Sequence, residues 1–293
     1  MEYNHFDIGE KMDIKEIQNK LKQKIEDADL ILIGIGSELK TEKEEKEIYQ
    51  QKGKKQIFEE NLENRAVNNQ KFYKRCFSVY EKIQGRKSNQ ALLNLANILQ
   101  NKNYFVISTN VDECLYLSGF RYIVSPCGRE RFFQCSENCS NLTWENDTYL
   151  KELFSESEGQ QILSEIMKAE KTDFSKEKWN LLLPKCPKCG KFADFNKINF
   201  NKKELYCEHY LPEWEKYMKW LSGTLNKKLL LLELGVDFIY PQLIRWPFEK
   251  TALLNQKAFL VRVHKSLSNI PEELKERAEA ITIDSKELLE TIC

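Results

Sequence analysis

Apolar residues recur along this chain at two spacings, and each spacing predicts a different kind of element. In residues 13–27 they recur every three to four positions, which is typical of an amphipathic helix. Continuous apolar runs predict short buried strands at 30–33, 104–108, 122–124, 229–234, 258–263 and 280–283. Further helical patterns follow Ser88, which we expect to cap its helix, and cover 242–254. Strands alternating with helices predict an α/β fold with a Rossmann-like, doubly wound parallel sheet.

Two segments interrupt this alternation. Residues 39–87 are rich in Lys, Glu, Gln and Asn, and they predict exposed helices inserted over the sheet face. Residues 126–201 are mostly polar and contain two pairs of closely spaced cysteines. We therefore expect one Rossmann-like domain formed by 1–125 and 202–293, which carries the helical insertion and a small metal-binding module.

Charge and composition exclude several classes of protein. Lys plus Arg and Asp plus Glu both number 45, so the formal net charge is zero and nothing indicates nucleic-acid binding. No apolar stretch approaches the roughly 18–20 residues that span a bilayer, so no membrane partner is expected. Nine cysteines without an apolar signal core at residues 1–24 indicate a reducing, cytoplasmic location. No pattern indicates an oligomeric state.

The two cysteine pairs predict a structural zinc site. Cys135 and Cys139 form the first pair, and Cys186 and Cys189 form the second, with a Pro between the thiols and a Gly after them. Zinc prefers four thiolates in a tetrahedron, and two short-spaced pairs supply such a set. Cys207-Glu208-His209 would be a second metal candidate, although an exposed turn is the simpler interpretation.

Two further motifs follow predicted strands. Backbone amides of Gly34-Ile35-Gly36-Ser37 could approach a diphosphate closely, but a plain turn has the same pattern. Asn110 and Asp112 come just after the 104–108 strand, where ligands bind in open α/β sheets. They could hydrogen-bond a carboxamide and a ribose hydroxyl, or one of them could simply cap the next helix.

Taken together, these segments resemble the sirtuin family. The glycine turn resembles the first glycine turn of sirtuins, and Ser108-Thr-Asn110-Val-Asp112 resembles their Thr-Gln-Asn-Ile-Asp signature. Cys127-Gly128 precedes Cys135 by the spacing at which a sirtuin His-Gly precedes the first zinc cysteine. Residues 230–241 and 244–248 are especially similar to the bacterial sirtuins that act as ADP-ribosyltransferases. The resemblance covers residues 28–38, 104–139, 181–196 and 228–290.

The resemblance implies NAD+ as cosubstrate, lying between a Rossmann-type domain and a small zinc module. It assigns Asn110 to the nicotinamide-side ribose and Asp112 to the carboxamide. The cofactor-binding residues that it implies are Gly34, Gly36, Ser37, Asn110, Asp112, Gly235, His264, Asp284 and Ser285. The implied zinc ligands are Cys135, Cys139, Cys186 and Cys189.

Three departures from the family bear on activity. The general-base histidine is replaced by Cys127, which completes the candidate catalytic set with Asn110 and Asp112. The Ser-Gly-Ile-Pro-Asp-Phe-Arg stretch that follows the glycine turn is missing, and Glu38-Leu39-Lys40 stands there instead. The usual Gly-Thr-Ser has become Leu234-Gly235-Val236, without its two hydroxyls.

Replacement of the base histidine by Cys127 favours transfer of ADP-ribose to a protein, or hydrolysis of NAD+, over deacylation, whereas the missing stretch and the lost hydroxyls support a sensor that binds the nucleotide without turnover. A cysteine, with a reference pKa of about 8.5, is a poor match for a near-neutral base. The expected function is a sirtuin-like, NAD+-dependent transferase that acts on a protein substrate. The alternatives are a non-catalytic sensor of NAD+ or ADP-ribose and a protein-interaction module in which zinc only holds the fold.

Overall fold

The computed structural model describes residues 13–41, 64–155, 183–197 and 208–292. The chain divides into two compact units. The first unit contains residues 1–39, 90–105 and 221–293, and the second contains residues 40–89 and 106–220. The middle of the predicted helical insertion and much of the predicted zinc module lie outside the described residues.

The elements are as follows. The helices are α1 (Ile14–Asp27), α2 (Asn64–Ile83), α3 (Gln90–Ile98), α4 (Glu113–Leu117), α5 (Asp147–Ser155), α6 (Leu211–Ser222), α7 (Arg245–Leu254) and α8 (Ser285–Glu290). The strands are β1 (Leu30–Ile35), β2 (Tyr104–Ser108), β3 (Ile123–Val124), β4 (Gly128–Cys135), β5 (Thr143–Glu145), β6 (Ala193–Lys197), β7 (Leu229–Leu234), β8 (Ala258–Val263) and β9 (Ala278–Ile281). Short 3-10 turns occupy Ser37–Leu39, Glu208–Tyr210 and Glu272–Arg277.

The larger sheet has the strand order β3-β2-β1-β7-β8-β9. The pairs β1–β7, β7–β8, β8–β9 and β2–β3 are all parallel. With the six strands of the sheet numbered in chain order, this is the 3-2-1-4-5-6 arrangement of dinucleotide-binding folds, in which the strand order reverses between the first and fourth strands, here β1 and β7. The prediction of a Rossmann-like, doubly wound parallel sheet is therefore confirmed.

The first unit holds the buried centre of this sheet. Every residue of β1 and β7 is buried, which explains why their sequences are apolar runs and do not alternate. Helix α1 begins after Asp13, whose side chain accepts the N–H of Lys15. Gln18 of this helix is polar and buried. Its side-chain amide is satisfied because it donates to the Leu288 carbonyl oxygen and to the Thr291 hydroxyl, both at 2.8 Å.

Several element boundaries differ from the sequence prediction. β1 continues to Ile35, so Gly34 lies inside the strand, paired with Glu233 of β7. Helix α3 begins at Gln90, so Asn89 and not Ser88 directly precedes it. The last strand is Ala278–Ile281 and not 280–283, because Asp284 already caps α8. Helix α7 begins at Arg245, three residues later than predicted.

The second unit contains a three-stranded antiparallel sheet of order β5-β4-β6. Its hydrophobic core joins the face of α2 that carries Tyr73, Cys76 and Val79 to the sheet residues Phe133 and Phe195. Helix α2 lies in the segment that the sequence predicts as exposed helices. One of its faces is instead buried, because Tyr73, Cys76 and Val79 recur every three residues.

No helix within the described ranges is both long and apolar enough to cross a membrane.

Candidate functional site

The carboxyl ends of β1 and β7 form the switch point of the sheet, where open α/β folds bind ligands. Gly36 follows β1, and Gly235 follows β7 with a φ of 61°. A Cβ on Gly36 would collide with the Gly235 carbonyl and the Val236 Cα, and a Cβ on Gly235 would collide with Glu38. The close approach of these two turns therefore requires glycine at both positions.

Gly34 has a different reason to be glycine. It lies in β1, and a Cβ there would collide with Ile244 and with the Phe248 ring. The missing side chain thus makes room for α7 to pack on the strand. The structure moves Gly34 out of the turn that the sequence analysis assigns to it, and Ser37 begins the 3-10 turn that follows.

Glu38 occupies the centre of the switch point. Its side chain is only 2% exposed. The backbone N–H of Lys265 donates to Oε1 at 3.1 Å, and that of Ser285 donates to Oε2 at 3.0 Å. One carboxylate thus ties the turn after β1 to the segments after β8 and β9. Glu38 is not among the site residues that the sequence predicts.

His264 lies beside this carboxylate as a neutral ring. Its Nδ1 accepts the N–H groups of Ser266 and Leu267, both at 3.0 Å, so Nδ1 carries no proton. The 3.3 Å contact of Nδ1 with Glu38 is therefore not an ion pair. Burial, opposed by Glu38, lowers the pKa of His264 below its ordinary value, which agrees with a neutral ring.

Asp284 and Ser285 both have structural partners. The Asp284 side chain caps α8 by accepting the N–H groups of Lys286 and Glu287. The Ser285 hydroxyl donates to the Val263 carbonyl oxygen at 2.9 Å. The first unit thus brings Gly36, Gly235, His264 and Ser285 close to Glu38.

Asn110 and Asp112 lie at the carboxyl end of β2, as predicted. Both are buried. The Asn110 N–H donates to the Ser108 hydroxyl at 2.9 Å. Asp112 is the N-cap of α4 and accepts the N–H of Cys114 at 3.0 Å. Asp112 therefore caps α4, as one of the two sequence-based alternatives predicts.

A lysine that the sequence analysis missed contacts the same aspartate. Lys82, at the end of α2, places Nζ 3.1 Å from Asp112 Oδ1 and 2.7 Å from Glu130 Oε1. Its side chain is only 4% exposed. The N–H of Thr41 donates to the other Asp112 oxygen at 2.8 Å. Asp112 is thus held by three separate segments of the second unit.

The pKa directions describe an ionised cluster. Burial opposes the charge on Lys82, but Glu130 and Asp112 outweigh it and raise the pKa of this lysine. Burial likewise opposes the charge on Asp112, but Lys82 and the hydrogen bonds from Thr41 and Cys114 lower the pKa of this carboxyl. Both groups are charged at neutral pH.

Cys127 is buried directly before β4. Gly128, which follows it, has a φ of 108°, and a Cβ there would collide with the backbone of Asn196 and Lys197.

Cys207 lies outside the described residues. His209 stacks on Phe132 with ring centroids 4.7 Å apart, and burial together with Arg129 lowers the pKa of this histidine to about 4.

The predicted zinc ligands come together. The four sulfurs of Cys135, Cys139, Cys186 and Cys189 all lie within 4.8 Å of one another. The Cys135–Cys189 and Cys139–Cys186 sulfur pairs are 3.6 and 3.5 Å apart. β4 ends at Cys135, which is paired with Ala193 of β6, and this pairing brings the two cysteine turns together.

The donor set fits zinc. With a Zn–S distance of about 2.3 Å, a tetrahedron has sulfur–sulfur edges of about 3.8 Å, and the distances in both of these pairs are close to this value. Each turn also contains a left-handed residue, Asn138 with a φ of 53° and Gly190 with a φ of 69°. These residues bend the chain so that both thiols of a pair face the same point.

Glu38 and Lys82 are the site residues that sequence reasoning missed. Lys82 had a usable signal, because it continues the three-residue spacing of Tyr73, Cys76 and Val79 on the buried face of α2. For Glu38 no local signal exists. Its partners Lys265 and Ser285 are more than 220 residues away, and only the parallel sheet brings them together.

Sirtuins are among the solved structures that are similar to this chain. A Sir2 homologue in complex with NAD matches with a TM-score of 0.54 and 15% identity, over 98% of this chain and 95% of that one. A Sir2 homologue mutant in complex with ADP ribose matches with a TM-score of 0.55 and 14% identity, over 93% and 94%. Sir2Tm bound to a propionylated peptide matches with a TM-score of 0.52 and 13% identity, over 94% and 96%. The chain therefore has the sirtuin fold in a divergent form, and the resemblance read from the sequence is confirmed.

A comparison of amino-acid sequences also found a related protein. The chain is 24% identical over 204 residues to a protein ADP-ribosyltransferase from Staphylococcus aureus (strain Mu50). The match covers 69% of this chain and 60% of the relative, so the chain spans less than two thirds of that protein's length. No family model matches the chain.

Proposed function

We propose that this protein is a sirtuin-like transferase that cleaves nicotinamide from NAD+ and transfers ADP-ribose to a protein acceptor. One observation carries the proposal: a chain with the sirtuin fold, similar in sequence to a protein ADP-ribosyltransferase, has Asn110 and Asp112 just past the carboxyl end of a parallel strand. That position is where open α/β sheets bind nucleotides.

In this proposal the residues divide by the part of NAD+ that they would contact. The turns after β1 and β7 would lie beside the diphosphate, and the segments after β8 and β9 would hold the adenosine. Asn110 would order the nicotinamide-side ribose, and Asp112 would hold the carboxamide. The residues proposed for NAD+ are Gly36, Ser37, Asn110, Asp112, Gly235, His264, Asp284 and Ser285; Gly34 is left out because it lies inside β1 and packs against α7.

The proposed reaction breaks the bond between ribose C1′ and the nicotinamide nitrogen, and the bonding electrons leave with nicotinamide. A nucleophilic side chain of the acceptor forms a new bond to C1′ and loses its proton to solvent or to a base. Groups that orient the ribose stabilise the positive charge that develops at C1′. Cys127, a buried thiol, is a poor general base near neutral pH, so we propose transfer or hydrolysis over deacylation.

A nicotinamide-release assay tests the proposal. Purified protein incubated with NAD+ should release nicotinamide, and Asn110→Ala should lower the rate by roughly 100- to 1,000-fold, as expected for loss of one transition-state contact. Asn97→Ala, an exposed asparagine on α3, is the matched control and should keep the wild-type rate. Equal rates for the two variants would remove Asn110 from the mechanism.

The protein acceptor needs a separate experiment. A lysate incubated with the enzyme and isotope-labelled NAD+ should yield a protein that carries the ADP-ribose label when analysed by mass spectrometry. The label should be absent with Asn110→Ala. Nicotinamide release without a labelled protein would identify the enzyme as a NAD+ hydrolase.

A second function is a sensor that binds NAD+ or ADP-ribose without turnover. Two features favour it: the Asp112 carboxylate is already engaged by protein donors, and the sequence has Cys127 at the position where the resemblance to sirtuins places the base histidine. Calorimetric binding of ADP-ribose, with no nicotinamide released from NAD+, would establish this function. Absence of both binding and turnover in folded, zinc-loaded protein would leave an interaction module.

A further inference from the structure

We propose that Lys82, a buried lysine supplied by the helical insertion, is a positioning residue for the Asn110–Asp112 segment, so that nicotinamide release depends on it. This inference rests on the proposed function and adds a residue to it. Lys82 lies outside the segments that resemble sirtuins, and it belongs to the region that the sequence predicts as an exposed helical layer.

The two ends of the insertion converge on one carboxylate. At its beginning, the N–H of Thr41 donates to Asp112 Oδ2 at 2.8 Å. Near its end, the Lys82 ammonium contacts Asp112 Oδ1 at 3.1 Å. Asp112 also accepts the Cys114 N–H of its own helix. Together, these three contacts restrict the orientation of the Asp112 carboxylate.

Glu130 holds the same segment from β4. Its backbone N–H donates to the Val111 carbonyl oxygen at 2.9 Å, and its Oε1 accepts the Glu113 N–H at 2.8 Å. The same Oε1 binds Lys82 Nζ at 2.7 Å. Glu130 thus holds the backbone at positions 111 and 113, and Lys82 holds the side chain of Asp112. These three positions directly follow Asn110.

Charge explains why a lysine is required. Asp112 and Glu130 are both carboxylates with almost no exposure, and Lys82 bridges them. Arg75 is more distant, 3.8 Å from Glu130 Oε2, and the Cys114 thiol lies beside Asp112. The buried Glu113 carboxylate also faces Glu130, but it is paired with Arg129 and Arg131. Without Lys82, two buried negative charges would lie close together without their bridging cation, which favours protonation or movement of one of them.

Kinetics of Lys82 variants test the inference in the full chain. Lys82→Met should lower kcat for nicotinamide release by roughly 10- to 100-fold, as expected when a reacting group is misplaced by about 1 Å. The acid limb of its pH–rate profile should move up by roughly 1–3 pH units, because Asp112 loses the opposite charge that keeps it ionised. Lys82→Arg retains the charge and should recover part of the rate. Lys74→Met, at an exposed lysine of the same helix, should behave like wild type.

A double variant and a hydrogen-exchange measurement test the inference if Lys82→Met does not fold or if the wild type is inactive. If Lys82→Met does not fold, Lys82→Met combined with Glu130→Gln removes one charge of each sign and should fold with the same loss of rate. Hydrogen–deuterium exchange of residues 108–114 should rise in Lys82→Met and in the double variant, and not in Lys74→Met. If the wild type releases no nicotinamide, the proposed function fails, while the exchange measurement still decides the positioning role. Wild-type exchange, or a wild-type rate and pH profile in the folded variants, would overturn the inference.

Discussion

Glu38 and Asp112 are the two carboxylates whose environments bear most on function. Each lies after a parallel strand, and each is held by donors from distant parts of its own unit. The donors differ, however. Glu38 accepts two backbone N–H groups, whereas Asp112 accepts backbone N–H groups and pairs with a buried lysine. Glu38 therefore fastens loops together, and the ionisation of Asp112 depends on one side chain.

The fastening role of Glu38 can be measured. Glu38→Gln retains one acceptor oxygen but turns an amide NH2 group toward a backbone N–H, so one buried donor loses its partner. We expect a loss of roughly 1.5–3 kcal/mol in the free energy of unfolding, as for a hydrogen bond to a charged group. Urea denaturation measures it.

The control for this variant is Glu16→Gln, at an exposed glutamate of α1. It should change the free energy of unfolding by less than about 1 kcal/mol. An equal, small effect of both substitutions would show that the contacts of Glu38 contribute little to stability.

At the scale of elements, β7 and β8 are joined by a buried ion pair as well as by the sheet. Glu233 and Arg262 are register partners, and the guanidinium donates from Nε at 2.8 Å and from its second nitrogen at 3.0 Å. Both side chains are 1% exposed. Burial raises the pKa of Glu233 despite both Arg262 and Arg245. The carboxylate thus needs its cationic partners to remain charged inside the unit.

Removal of one partner should therefore be costly. Arg262→Met leaves Glu233 buried with only the more distant Arg245, whose Nε is 3.6 Å away. We expect a loss of roughly 3–5 kcal/mol in the free energy of unfolding, measured by urea denaturation. Glu249→Gln is the matched control, because Glu249 also contacts Arg262 but is 22% exposed. It should cost about 1 kcal/mol or less, and a comparable loss for both variants would contradict this explanation.

At the scale of the whole molecule, the two units are stabilised differently. The first has a parallel sheet whose central strands are completely buried. The second relies on a smaller antiparallel sheet, a core that includes one face of α2, and four thiols that fit a zinc ion. Its stability should therefore depend on the metal.

Zinc binding is tested with single substitutions. Cys189→Ser removes one thiolate and should lower bound zinc, measured by mass spectrometry of the metal, from about one per chain to well below half. Hydrogen exchange at the ends of β4 and β6 should rise. Cys114→Ala, at a buried thiol outside the cluster, should retain its zinc. Full zinc content in Cys189→Ser would show that this cysteine is not a ligand.

The sequence by itself determined the parallel sheet, since apolar runs without alternation are what strands buried on both faces require. It also predicted which four thiols form the metal-binding cluster, because the short spacing within each pair keeps its two sulfurs close together. Only the tertiary structure decided the surroundings of the charged groups. Lys82 meets Asp112, and Glu38 meets Lys265 and Ser285, across 30 to nearly 250 residues of chain. Such contacts follow from the packing of elements and not from local pattern, so a charged residue in a polar segment cannot be recognised as buried until the fold is known.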